Sequence, residues 1–318
     1  MKSFVINNND SGQRLDKFLG KSLPLLPKSL LYKSIRTKNI KVNRKRCEIS
    51  TKLNVGDVVD VYVKDEFLTP APVSFPFMSA SKKIDILYED ENILLANKKE
   101  GLLVHEDKSE YNDTLILRIQ RYLYEKGEYD PLKENSFAPA LANRIDRGTS
   151  GIVIAAKNAE SLRILNQKIK DREITKLYLC LTHGTFKKKK DVICAYLEKD
   201  CDNNKVYIHD TRKDGDKEIK TGYEVIAEKG NISLLEVRLF TGRTHQIRAQ
   251  MAKIGHPLVG DGKYGKNADD KKRGFKYQAL CSYKLIFDFS TDAGILNYLK
   301  DKEFKIENVW FAQEILKA

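Results

Sequence analysis

Asn143-Arg144-Ile145-Asp146-Arg147-Gly148-Thr149-Ser150-Gly151-Ile152-Val153-Ile154-Ala155-Ala156-Lys157 sets an acid between two arginines, in a Gly- and Ser-bearing loop that runs straight into an apolar strand. Nearby cations lower a carboxylate's pKa, so Asp146 is well placed to stay ionised and is the first catalytic candidate. Taken alone, the same residues more often make a surface Arg-Asp-Arg ion pair in a turn, and the rest of the chain must decide. Just beyond the strand, Asn158 is a good N-cap for a helix that buries Leu162, Leu165 and Ile169.

Outward from this stretch, β-like runs at 84–88, 93–96, 177–181 and 234–240 alternate irregularly with helical patterns. Irregular alternation predicts an α+β fold over a doubly wound sheet. A second helix is expected from Thr244 through Ile247, Met251 and Ile254, ending at Gly255 before Pro257. Towards the N-terminus, Leu15, Phe18 and Leu19, then Leu30, Leu31 and Ile35, fall at helical spacings, and β-branched runs follow at 40–42 and 58–63. That is a small α/β unit, assigned to residues 1–64. Pro70, Pro72 and Pro76 mark 65–82 as an extended linker without a core of its own, leaving 83–318 as the larger domain.

Two further segments concentrate reactive side chains. In Lys176-Leu177-Tyr178, the strand period points Tyr178 away from its leucine neighbours, towards either core or cleft. In Gly242-Arg243-Thr244-His245-Gln246-Ile247-Arg248, Arg243 and Arg248 around a helix start could clamp a phosphate or a carboxylate. No Ser or Cys stands in a context that would make His245 a catalytic base.

The net charge is +13, and residues 1–64 carry 14 basic against five acidic side chains. A basic excess concentrated in a small unit is the footprint of a phosphate-backbone binder, whereas the rival, an anionic membrane surface, would want an amphipathic helix with a broad apolar face that this segment of short elements does not offer. Apolar runs are far shorter than the roughly 20 residues of a membrane span, and the N-terminus has no signal-peptide core, so a cytoplasmic protein is expected. The five scattered cysteines read as reduced thiols. With no C-x-x-C and no H-x-x-x-H, no metal is expected, and a monomer is assumed.

Four blocks in order carry a resemblance. NRIDRGTSGIVIAAK looks like the catalytic signature of RluA-type pseudouridine synthases, Lys176-Leu177-Tyr178 like their Lys-x-Tyr, and 242–248 like their Gly-Arg-Thr-His-Gln-Ile-Arg. Gly255-His256-Pro257-Leu258-Val259-Gly260-Asp261 with Tyr264-Gly265 resembles the block that follows, and upstream ILLANKKEGLLVH (93–105) is similar to the family's first strand and loop. Ser11 to Leu19, Val42-Asn43 and Val55-Gly56-Asp57 resemble the small RNA-binding module named after ribosomal protein S-four. Departures are Asn143 for His, Ile145 for Leu, Lys99 for Pro, Gln250 for His and Cys281 for His.

The resemblance implies a catalytic fold on a mixed, largely antiparallel sheet and an enzyme that isomerises uridine in RNA, most often large-subunit ribosomal RNA, with no cofactor. It assigns Asp146 as the essential carboxylate, Arg248 as its partner and Tyr178 as the side chain packed on the flipped uracil. Leu280 walls the pocket, Arg243, His245 and Gln246 lie on the substrate side, and Arg144 is placed to fill the gap an extruded base leaves. Arg36, Lys38, Lys41, Arg44, Lys45 and Arg46 would supply backbone affinity. Two rival readings are a non-catalytic RNA-binding or ribosome-assembly factor, needing the basic unit but not Asp146, and a phosphodiesterase built on His245.

Overall fold

The structure, a computed structural model, describes residues 1–68, 75–107 and 110–316. The chain opens with β1 (Lys2–Val5), α1 (Leu15–Ser22), α2 (Lys28–Arg36), β2 (Ile40–Val42), β3 (Lys45–Arg46) and β4 (Val58–Val61). These strands form an antiparallel sheet ordered β1-β4-β2-β3. The apolar spacing read in the sequence lands as expected: Leu15, Phe18, Leu19, Leu31 and Ile35 bury one face of each helix against Phe4, Ile40, Val59 and Val61. Asn43, in the left-handed region, ties the two quoted turns together by donating to Asp57 and accepting the Val58 N–H.

Then come β5 (Ile86–Glu89), β6 (Ile93–Lys98), α3 (Leu115–Glu125), β7 (Ala140–Leu141), β8 (Ser150–Ala156), α4 (Ala159–Lys170), β9 (Thr175–His183), β10 (Lys190–Asp200), β11 (Lys205–His209), β12 (Lys217–Lys229) and β13 (Ile232–Leu239). The chain closes with α5 (Gln246–Lys253), α6 (Ala268–Lys272), β14 (Leu280–Ile286), β15 (Glu303–Lys305) and α7 (Trp310–Leu316). One 11-stranded sheet runs β11-β10-β12-β13-β9-β14-β8-β6-β5, with β15 on β14 and β7 on β8. Every pairing is antiparallel except β14 with β8, the mixed α+β arrangement anticipated above. Among the described residues, no helix is long and apolar enough to cross a membrane.

Strand β8 reads as an unbroken apolar run because both its faces are covered. Val153 and Ala155 join Leu94, Ile119, Tyr178, Leu235 and Leu280 on one side, while Ile152, Ile154 and Ala156 join Leu165, Leu285 and Phe287 on the other. Helix α4 follows at once, with the Asn158 side chain accepting the Ser161 N–H at 2.8 Å. Helix α5 starts two residues later than the sequence suggested, since His245 takes a left-handed φ of 52° and turns the chain into the helix. Ile254 accordingly caps α5 and stays partly exposed instead of joining the core.

Residues 65–82 depart from a bare linker. Within the described part, Phe77 and Ala80 are buried beside Ile116 and Leu117 of α3, and the Phe77 ring lies 5.4 Å from that of Tyr124. An aromatic side chain within reach of an amphipathic helix is too apolar to stay in water. Pro70 and Pro72 lie outside the described residues. The N-terminal unit meets the larger one through polar groups: buried Asp10 accepts from Ser136 and Asn135, and Arg163 donates to the Ser11 carbonyl.

The parallel contact between β8 and β14 depends on Gly151, whose φ is 116° and whose missing Cβ would fall 2.3 Å from the Ser282 carbonyl oxygen. Gly151→Ala is therefore expected to destabilise the protein by more than about 1 kcal/mol, read as a lowered Tm, because it combines backbone strain with overlap. The Asp146 loop leads into this same contact, so activity at low temperature is expected to fall as well.

Candidate active site

Asp146 sits at the end of a loop fixed from both sides. Lys98, at the end of β6 and 1% exposed, donates its Nζ to the carbonyls of Lys99, Leu102 and Arg147 at 2.8 to 3.0 Å. Burial pushes this ammonium down to about 7, against the pull of the Asp146 charge. The Arg147 carbonyl also accepts the Gly101 N–H, and its side chain donates back to the Gly101 carbonyl. Arg147 is thus a brace between two loops, while Arg144 is exposed and Ile145 turns inward to the core. Asn143 accepts the Ile154 N–H and pins the loop's start to β8.

The carboxylate itself meets Arg248. Arg248 Nη1 donates to Asp146 Oδ2 at 3.0 Å, while Nε and Nη2 fork onto Asp261 at 2.7 and 2.9 Å. Asp261 is 1% exposed and also accepts the N–H groups of Lys263 and Tyr264. Burial pushes the Asp261 carboxyl up, but the Arg248 fork and these two amides outweigh it and hold the acid below the usual aspartate range. A guanidinium clamped this way cannot swing, so it offers Asp146 one N–H in a set direction. Arg248 is therefore committed to two carboxylates, which corrects the phosphate-clamp alternative that its spacing with Arg243 allowed.

His245 lies behind the same oxygen, its Nε2 being 3.9 Å from Asp146 Oδ2 and its Nδ1 2.9 Å from the Tyr264 hydroxyl. Burial pushes the imidazole below its ordinary value, with the Asp146 charge opposing. Tyr264 in turn accepts the Val206 N–H from β11. Gln246, 2% exposed, accepts from Thr241 and the Arg243 N–H and donates to Thr221 and the Lys220 carbonyl. Both ends of that amide are used inside the protein, so Gln246 holds the loop and does not face a substrate. Arg243 is exposed.

Tyr178 and Leu280 are buried in the apolar core on this side of the sheet. Both belong to the cluster that includes Ile145, and Tyr178 faces away from Leu177 and Leu179, which pack on the other side of the sheet. Burial pushes the Tyr178 hydroxyl up to about 12, with the nearby Asp146 charge acting in the same direction. It is a neutral phenol beside an acid. Of the basic candidates, Arg36, Lys38, Arg44, Lys45 and Arg46 are exposed and Lys41 is half-buried with its Nζ over the Tyr62 ring. None of the six is in an ion pair among the described residues. Glu198, His209 and Asp216 form the one grouping of potential metal ligands among the described residues, and it excludes Asp146.

The profile of the family described as RNA pseudouridylate synthase matches residues 92–253, which hold Asp146, Tyr178 and Arg248. An RNA pseudouridine synthase of Mycoplasma capricolum, named as uncharacterized, is 34% identical over 312 residues, 95% of this chain and 96% of that one. The chain belongs to the RNA pseudouridine synthase family. Within it, its motif blocks are those of the RluA type. Another relative, ribosomal large subunit pseudouridine synthase C of Buchnera aphidicola, is 34% identical across 82% of this chain and 80% of its own length. Human RNA pseudouridylate synthase domain containing 4 shares the fold, with a TM-score of 0.56 at 19% identity over 71% of this chain and 89% of that one.

As an RNA pseudouridine synthase the protein is an isomerase acting on RNA, and the assembly-factor reading lapses. Its departures from the family's usual residues find local partners. Gln250 bonds Thr221 and the Ile193 carbonyl, Cys281 is buried opposite Ser150, and Lys99 pairs with Asp85 at 2.9 Å. Three residues of the site had no role assigned from sequence: Lys98, Asp261 and Tyr264. A charged residue closing the apolar run of β6 was the available signal for Lys98; the other two stood inside a quoted block without a visible partner.

Proposed function

We propose that Asp146 is the essential carboxylate of this synthase and that the target uracil lies against Tyr178 and Leu280. The observation that carries the reading is the Asp261–Arg248–Asp146 chain, which holds the Asp146 carboxylate in place beside the apolar cluster of Ile145, Tyr178 and Leu280. Making pseudouridine breaks the bond from N1 to C1′, turns the uracil, forms the bond from C5 to C1′, and moves a proton from C5 to N1. Atoms and charge balance within the nucleotide. Asp146 serves either by attacking C1′ or by taking the C2′ proton, and both roles require its ionised form. Tyr178, protonated and buried, supplies a flat surface for the flipped base and an O–H near C5. Arg144, exposed beside the loop, suits the gap left in the RNA.

The names of these relatives support large-subunit ribosomal RNA as the proposed substrate, and a cytoplasmic monomer is proposed with it. Tritium release from C5-labelled ribosomal RNA transcripts, followed by mapping of modified positions, tests this. Release from large-subunit transcripts supports the reading; release only from other RNA classes overturns the substrate.

Residues 1–64 are proposed to be the S-four-like RNA-binding domain, with its exposed cations along the β2–β3 hairpin and the end of α2. Exchanging Arg44, Lys45 and Arg46 together for alanine should weaken RNA binding and flatten its salt dependence by about two to three in log–log slope. Turnover of bound RNA should stay unchanged, since none of the three touches the larger unit's site residues. Filter binding across a salt series reads both effects.

A further inference from the structure

The β11-β10-β12 edge of the large sheet brings together three metal-ligating side chains from three separate segments. Glu198 of β10 stands opposite Tyr207 of β11, which puts it diagonal to His209, opposite Tyr196. Asp216 lies one residue before Lys217, the β12 partner of Leu197, and therefore beside Glu198 on the other flank. One donor atom from each of Glu198, His209 and Asp216 lies within 4.8 Å of the other two. Glu198 Oε2 and His209 Nε2 are already 2.8 Å apart.

Asp216 supplies an independent reason to look for a ligand. The residue is only 4% exposed, its Oδ2 accepts the Lys213 N–H at 3.0 Å, and its Oδ1 is buried with no hydrogen-bond partner. A carboxylate oxygen removed from water and left without a donor is costly, and carboxylates on adjacent strands repel each other. A cation satisfies both at once. We propose that Glu198, His209 and Asp216 bind a divalent transition-metal ion such as Mn2+ or Zn2+.

The donor set, one imidazole and two carboxylates, is of intermediate hardness and suits such ions better than thiolate-seeking ones. Donors at about 2.0–2.2 Å from one ion lie about 3–4 Å apart, so the Glu198–His209 pair opens slightly from 2.8 Å while all three donors stay within the 4.8 Å they now span. The ion takes the place of the present His209–Glu198 hydrogen bond. It joins both strands of the β10–β11 hairpin to the start of β12, and β11 reaches the catalytic site through Val206 and Tyr264. The expected role is to stiffen that wall; no step of the reaction uses the ion.

Mn2+ titrated into the RNA-free full-length protein, followed by loss of the free-ion electron paramagnetic resonance signal, tests the site. Mn2+ also avoids the exposed thiols of Cys194 and Cys201. One ion per chain is expected, with Glu198→Gln and Asp216→Asn each weakening it by more than about tenfold, since even loss of an indirect partner costs that much. Glu198 has a half-exposed side chain, so its variant folds whatever Asp216→Asn does. Bound Mn2+ should raise the wild-type Tm and leave that of Glu198→Gln unmoved. Failure to bind one equivalent, or binding that both variants retain, overturns the proposal without touching the synthase assignment.

Discussion

Asp146→Asn is expected to bind RNA as tightly as the wild type and to release no tritium from C5-labelled substrate. The exchange keeps the size of the side chain and its place beside Arg248, but an amide neither attacks C1′ nor takes a proton from C2′. A loss on the order of 10³-fold or more in turnover is expected, the range for removal of a directly reacting group. Single-turnover rates at saturating enzyme, with RNA occupancy measured in parallel, separate this from weakened binding. Arg147→Ala is the contrast. Its backbone carbonyl, which Lys98 and Gly101 use, survives the substitution, while the side-chain bond to the Gly101 carbonyl goes. Its loss should be much milder; equal losses would mean that the loop's shape, and not the Asp146 carboxylate, limits the reaction.

Arg248→Ala should damage stability and activity together. It strips Asp261 of its fork and Asp146 of the one side-chain donor at hydrogen-bond distance among the described residues. Breaking a buried ion pair from one side costs about 3–5 kcal/mol, so the denaturation midpoint should fall well outside the range of surface substitutions. Arg248→Lys should recover little, because one ammonium cannot serve two carboxylates along three directions. A double-mutant cycle with Asp261→Asn gives the sharper reading: the pair should cost less than the sum of the singles, since the second exchange removes the acid the first had stranded.

The pH dependence of that variant follows from Asp261. In the wild type the carboxyl is held below the ordinary aspartate value, so its contribution to stability is fully present above about pH 4 and is lost as pH falls through the lower folded value. Without Arg248 only burial and the two amides act on it, and the steep part of the acid limb should move up in pH. Denaturant melts between pH 3 and pH 7, on the order of the aspartate range, would show it.

Much of this protein is legible in its sequence, and the reason is locality. The loop into β8, the Asn158 cap, the helical stripes of α1 and α2, the opposed faces of Tyr178 and its leucine neighbours, and the basic excess of the first 64 residues all depend on spacings within a few residues. Propensity, period and charge act over that range. The same locality is why Asp146, Tyr178 and Arg248 stood out as loaded segments and why ordered motif blocks identified the family.

What the fold alone decided involves partners far apart in sequence. Arg248 reads locally as part of a clamp for a phosphate or a carboxylate and by resemblance as the partner of Asp146, 102 residues away, but only the approach of Asp261 makes it a bridge between two acids. Gln246 reads as a substrate contact until the loop folds back on β12 and uses both ends of its amide. Phe77 reads as linker until α3 covers it. Glu198, His209 and Asp216 obey no ligand spacing, because cross-strand register brings them together. In each case the deciding term is the desolvation of a polar or apolar group by a distant segment, and desolvation is set by packing, to which a one-dimensional pattern carries no direct signal.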